Sequence, residues 1–127
     1  MATESDQDLA ALQGRWEQVG FEENGVDGSS EHAASGAITT IEGCRFSVRA
    51  FGGELLLEGT FALNASLRPK AITWLDSIGP DAGKRLPASY KLNGDCFVFI
   101  AAGEGDPRPT EFRTKSGQVM REFARKR

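Results

Sequence analysis

A chain of 127 residues is long enough to bury a core of its own without disulfides, and it reads as one domain over 1–127. Its 15 basic and 18 acidic side chains leave a net charge of -3, which offers no basic face to nucleic acid and nothing to draw it to an anionic membrane. No apolar run approaches the roughly 20 residues of a membrane span, and the acidic opening Met1–Asp6 lacks a charged-then-apolar leader, so the expected compartment is the cytoplasm.

The 15 glycines and short apolar runs favour many turns over long helices. Ser5 or Asp6 is placed to cap a short helix ending at Leu12, with Leu9 and Leu12 on one face. Too short to be stable alone, this cap segment (1–11) is expected to plug one end of a barrel spanning 12–127. Gln13 to Glu23 reads as the first strand, and Asn24-Gly25 as a tight turn. Val26 to Gly36 is polar and small, and is the natural lid over an open end. It holds the single histidine, His32, which has no orienting partner nearby in sequence and reads as solvated.

Turn chemistry sets the registers of the middle of the chain. A two-residue Gly52-Gly53 turn pairs Ala50 with Leu55, Val48 with Leu57 and Phe46 with Gly59, which gathers the apolar side chains on one face. Ala37 to Glu42 precedes this hairpin, turning at Glu42-Gly43 or Gly43-Cys44, and sets Thr39 and Ile41 beside Phe46 and Val48. A second hairpin turning at Asn93-Gly94 pairs Tyr90 with Phe97 and aligns Tyr90, Leu92, Phe97 and Phe99. Between the hairpins, Lys70 to Ser77 alternates Ile72, Trp74 and Asp76 against Thr73 and Leu75, and 78–83 is a turn. Pro87 requires the following strand to start late or bulge. Gly103 to Pro109 is a loop, Thr110 to Lys115 a short strand, and Val119 to Arg125 the last strand, with Val119, Arg121, Phe123 and Arg125 on one side. The sum is an all-β fold, an antiparallel up-and-down barrel of about eight strands. Cys44 and Cys96 are expected to be free and partly buried, and two thiols do not make a metal site, so no metal or cofactor is called for.

At Gly14-x-Trp16 the chain resembles a lipocalin-type barrel. More narrowly, it is similar to a group of small bacterial lipocalin-like domains of uncharacterised function, abundant in planctomycetes. The matching pieces are Leu12-Gln13-Gly14-x-Trp16, Leu57-Glu58-Gly59-Thr60-Phe61-x-Leu63, Pro69-Lys70-Ala71-Ile72, Gly79-Pro80-Asp81-x-Gly83-Lys84, Tyr90-x-Leu92-x-Gly94-Asp95 and Arg108-Pro109-Thr110-Glu111-Phe112. The resemblance implies that an arginine of the last strand stacks on Trp16 at the closed end, with Arg125 the first candidate and Arg121 the second. It lends no catalytic residues. Three features depart from the group: Pro87-Ala88 within a strand, Trp74 in place of a smaller aliphatic residue, and a Val26–Gly36 loop rich in small residues.

The inward aromatic and aliphatic residues either fill the barrel or line a hydrophobic cup. In the second reading Trp74, Asp76, Tyr90, Phe46, Leu57, Phe99 and Gln18 line the pocket, with Asp76, Tyr90 and Gln18 as polar anchors, while Gly14, Trp16 and Arg125 are structural. Asp76 has a competing and favoured place in the turn before Gly79. The basic tail Arg121, Arg125, Lys126 and Arg127 reads as a solvated strand end, Arg125 apart. Three functions follow in order. A binder of a small hydrophobic ligand comes first, then a protein-interaction or accessory module with a filled barrel, then a small isomerase or cyclase using Asp76 or Tyr90. The ranking leans away from an enzyme.

Overall fold

Closure of the sheet comes from the two ends of the chain. In a computed structural model, which describes residues 3–28 and 36–126, helix α1 (Glu4–Leu12) leads into β1 (Gly14–Glu23) and β2 (Val26–Asp27). Then follow β3 (Ile38–Glu42), β4 (Arg45–Arg49), β5 (Leu55–Asn64), β6 (Lys70–Asp76), β7 (Arg85–Asn93), β8 (Cys96–Ala101) and β9 (Val119–Arg125). Strands β3 to β9 pair antiparallel in sequence order, and β1 pairs with both β3 and β9. The result is a closed eight-stranded up-and-down barrel of lipocalin-like form, with β2 a two-residue addition to β1. Among the described residues no helix is long and apolar enough to cross a membrane.

Glycine-led turns account for most of the registers. The β3–β4 turn is Gly43-Cys44, which sets Thr39 opposite Val48 and Ile41 opposite Phe46 as expected. The β7–β8 turn is Gly94-Asp95, not Asn93-Gly94, so Tyr90 faces Phe99 and Leu92 faces Phe97. The reason is local: a type II′ turn wants its positive φ at the first central residue, where Gly94 sits at 59°. Because the pairing moves by two residues, every side chain keeps its face. In the β4–β5 hairpin Phe46 faces Gly59 and Val48 faces Leu57 as expected, but Arg49, not Ala50, faces Leu55. A bulge after Val48 takes up the odd residue, and Ala50 instead donates its N–H to the Glu54 carbonyl at 2.8 Å. Gly59 is held by contact, since a Cβ there would lie 2.1 Å from the Leu75 carbonyl oxygen and 2.9 Å from Phe46 Cε1.

Four further expectations are corrected. The helix is capped by Thr3, whose hydroxyl accepts from the Asp6 N–H while the Asp6 carboxylate accepts from the Thr3 N–H, each at 3.1 Å. Pro87 sits inside β7 without a late start or a bulge, opposite Thr73. Its carbonyl accepts from the Ala102 N–H at 2.9 Å just past the end of β8, so its missing N–H forgoes only the reciprocal bond at the end of the ladder. Thr110–Lys115 is not a strand. Cys44 and Cys96 are free but exposed, because each lies at the rim of a hairpin.

The 103–118 segment crosses the outside of the barrel, fastened by side chains. Ser89 donates its hydroxyl to the Pro109 carbonyl, and Arg108 Nη1 donates to Ser89 Oγ at 2.6 Å and to the Pro69 carbonyl at 2.8 Å. Thr114 donates to Glu22 Oε2 at 2.6 Å and accepts from the Gly25 N–H at 2.7 Å. This strap buries the outward-facing Ser89 and Ile100. The main core lies inside the barrel, where Leu12, Trp16, Ile41, Phe46, Phe61, Ile72, Trp74, Tyr90, Phe97 and Phe123 pack together.

Candidate functional site

The end beneath α1 is sealed. Trp16 is 0 % exposed, and its indole N–H donates to the Leu12 carbonyl at 2.9 Å. The Arg125 guanidinium lies 4.3 Å above the indole ring, and each of its three nitrogens has an acceptor. Its Nη1 and Nη2 donate to the Gln13 and Ala11 carbonyls at 2.9 and 2.5 Å, while Nε pairs with Asp95 at 2.9 Å. Gly14 opens the strand so close by that a Cβ would touch Arg125 Nη1 at 3.4 Å. Gly14, Trp16 and Arg125 thus come together at this end of the barrel. Tyr90 also belongs to this end, donating its hydroxyl to Asp8 Oδ2 of the helix at 2.6 Å, with Lys70 on the same oxygen at 3.0 Å. Burial, followed by that bond to Asp8, raises the phenol pKa above its ordinary value. Tyr90 is thus an anchor for the helix, not a polar group at a mouth.

The opposite end is built differently. A bulge at Val19 reverses the alternation of β1, so that Gln18 faces Phe123 and Phe21 faces Arg121. Arg121, neighbour of Phe123 and Arg125 on one side of β9, points inward and is half-buried. Its Nη1 donates to Gln18 Oε1 at 3.0 Å, and its guanidinium lies 4.8 Å from the centre of the Phe21 ring. Burial lowers the Arg121 pKa, and the charges of Glu23 and Asp76 oppose that change. Asp76 ends β6 opposite Gly59 and is 7 % exposed, so it faces the interior and is not part of the turn. Burial, then the nearby Asp81, pushes its carboxyl up, while Arg121 pulls it down. Arg121 and Asp76 feel each other, yet they form no direct ion pair, and no described side chain hydrogen-bonds the carboxylate.

Trp74 lies on the same strand and face as Asp76, two residues earlier. It is 6 % exposed and packs against Phe46, Phe61 and Phe99 at ring separations of 5.0, 5.4 and 4.9 Å. Its indole N–H is buried without an acceptor, the only such side-chain atom among the described residues. An unmade bond of this kind costs about 1–3 kcal/mol. Above this aromatic floor the inward side chains Val48, Leu57, Leu86 and Phe99 are only half-buried.

Of the seven residues expected to line a pocket, Leu57, Phe99, Asp76, Gln18 and Trp74 fall in or next to this mouth, Phe46 beneath Trp74, and Tyr90 at the far end. Arg121 and Phe21 were not among them. The shared face of Arg121 with Phe123 was a usable signal; the Val19 bulge that turns Phe21 inward has none in the sequence. His32 and most of the lid segment lie outside the described residues.

Comparison with protein-family models, with curated proteins and with solved structures finds no match for this chain. The functional reading rests on its own geometry. Among the described residues no group of three or more His, Cys, Asp or Glu is placed to hold a metal ion. Two hollows open on the outside of the barrel. One, of about 410 Å³, lies along the strap at Pro107, Arg113 and Gln118; the other, of about 600 Å³, lies between Arg68, Lys70, Lys91 and Phe112. The cations of the second already have partners, Arg68 and Lys70 in Glu4 and Asp8, and Lys91 in the Phe112 ring at 4.3 Å. Among the described residues, the one buried side-chain polar atom left unmatched, the Trp74 indole N–H, lies on the face that leads to the mouth of the barrel.

Proposed function

We propose that the protein is a lipocalin-like binder of a small, mainly hydrophobic molecule, held in a shallow cup at the open end of the barrel. The observation that carries this reading is the buried Trp74 indole N–H without an acceptor, on the strand face that ends in Asp76, whose carboxyl forms no ion pair with the half-buried Arg121 guanidinium. Pockets are typically apolar with a few convergent polar groups, which is the composition here. The rings below Phe99 limit the cup to its upper part. The pairing of Arg125 with Trp16 supports membership of the lipocalin-like group suggested by the sequence motifs. Free, exposed thiols at Cys44 and Cys96 fit a reducing, cytoplasmic setting.

Titration with a neutral fluorophore, N-phenyl-1-naphthylamine, tests the cup. Saturable enhancement is expected, and Leu57→Trp, which fills the mouth, is expected to abolish it while the circular dichroism spectrum is unchanged. No enhancement, or enhancement indifferent to Leu57→Trp, refutes the cup. An accessory module with a filled barrel is the second reading, favoured by the solid aromatic interior and by Phe51, which is 89 % exposed on the β4–β5 turn. The enzyme reading loses support because Tyr90 is engaged by Asp8, leaving Asp76 without the partner that acid–base chemistry would use.

A further inference from the structure

The cup is taken from the preceding reading; its polar groups narrow what it holds. The donors outnumber the acceptors. A guanidinium carries five N–H groups, of which one goes to Gln18, and the Trp74 indole adds a sixth donor with nowhere to go. Against these stand the Gln18 oxygen, already used, and the carboxylates of Asp76 and of Glu23 at the end of β1, whose charges act on Arg121 but neither of which it reaches as an ion pair. A half-buried cation with spare, forked donors calls for a planar anionic acceptor, and a carboxylate meets a guanidinium with two parallel bonds. The neighbouring surface is aromatic, with Phe21 under Arg121 and Trp74 against Phe99, and the packed rings leave no depth for a long chain.

We infer that the open end of the barrel binds small monocarboxylic acids with a short, flat apolar body, the carboxylate on Arg121 and the body over Trp74 and Phe99. Asp76 then becomes a selectivity device. Two carboxylates in one buried site do not both stay ionised, so the incoming acid shares a proton with Asp76, which turns from a repelling group into a donor. Among the described residues, the charges acting on Asp76 are Asp81 from the following turn, which favours the protonated form, and Arg121 from β9, which opposes it; β5 presents only Gly59. Binding therefore weakens as pH rises and Asp76 loses its proton.

The test is calorimetric titration of the protein with 3-phenylpropanoate and with its uncharged counterpart 3-phenylpropan-1-ol, at pH 5.5 and 7.5. The wild type is expected to bind the acid at least tenfold more tightly than the alcohol at the lower pH, with the preference shrinking at the higher one. Arg121→Met is expected to erase the preference while the alcohol still binds. Asp76→Asn is expected to strengthen acid binding at pH 7.5 and to flatten its pH dependence, and it decides the matter if Arg121→Met does not fold. Equal affinity for acid and alcohol overturns the carboxylate assignment and leaves the cup standing. Binding of neither overturns the cup and this assignment with it, whereas an Asp76→Asn variant that binds the acid more weakly at pH 7.5 overturns the role given to Asp76 and leaves the cup standing.

Discussion

The two tryptophans of this barrel occupy the same interior under opposite conditions. At the closed end Trp16 has a carbonyl on its N–H and a guanidinium on its face, and each nitrogen of that guanidinium has an acceptor. At the open end Trp74 is almost as deeply buried, but its N–H has no acceptor, and the Arg121 and Asp76 charges nearby do not close on each other. A protein that can complete one end so thoroughly has the means to complete the other. Matched polar groups mark structure; unmatched ones mark where a ligand is expected to finish the set.

Substitutions at each end sharpen the contrast. Trp16→Ala removes a ring that packs on Phe97 at 5.9 Å and the seat of Arg125, and is expected to cost about 3–5 kcal/mol, read by thermal or urea unfolding. Gly59→Ala forces a methyl into the Leu75 carbonyl and Phe46, and is expected to cost about 3 kcal/mol through a shift of β5 against β6. Tyr90→Phe deletes one hydrogen bond to the helix, so a loss of about 1 kcal/mol is expected, with ligand binding at the mouth unchanged. A change in binding there would erase the separation of the two ends.

Asp76→Asn should act in the other direction. Its folded pKa is raised, so its favourable contribution is complete below the unfolded value and disappears as pH rises through the folded one. Near neutral pH the ionised carboxylate therefore burdens the native state, and the asparagine variant is expected to melt at a higher temperature than the wild type. The gap should close below about pH 4, where the wild-type carboxyl is protonated. A variant less stable than the wild type at neutral pH would mean that Asp76 is a matched group like those at the closed end.

How far the sequence carried this picture differs between the ends in the same way. Gly14-x-Trp16 and the last-strand Arg125 pointed to the seal, and glycine-led turns yielded the shared face of Phe46, Leu57, Tyr90 and Phe99, although the β7–β8 register lay two residues away and Arg49 took the place of Ala50 opposite Leu55. Alternation tells which face a side chain takes but not its depth along the barrel, which strand tilt decides. Tyr90 was therefore placed with Asp76 when it lies at the other end. Arg121 was read as a solvated strand end because the bulge at Val19, which supplies its Phe21 and Gln18 surroundings, follows from β1–β9 pairing and not from any local residue signal. The 110–115 segment alternates like a strand, but β8 and β9 already pair with each other and closure leaves it no edge.

The most direct measurement follows the two indole N–H signals of the 15N-labelled protein during titration with 3-phenylpropanoate. The Trp74 signal is expected to shift progressively to a saturated position as its N–H and the groups around it gain a neighbour, while the Trp16 signal stays where it began. A Trp74 signal that does not move, or a Trp16 signal that moves with it, would contradict the division between a finished end and an unfinished one.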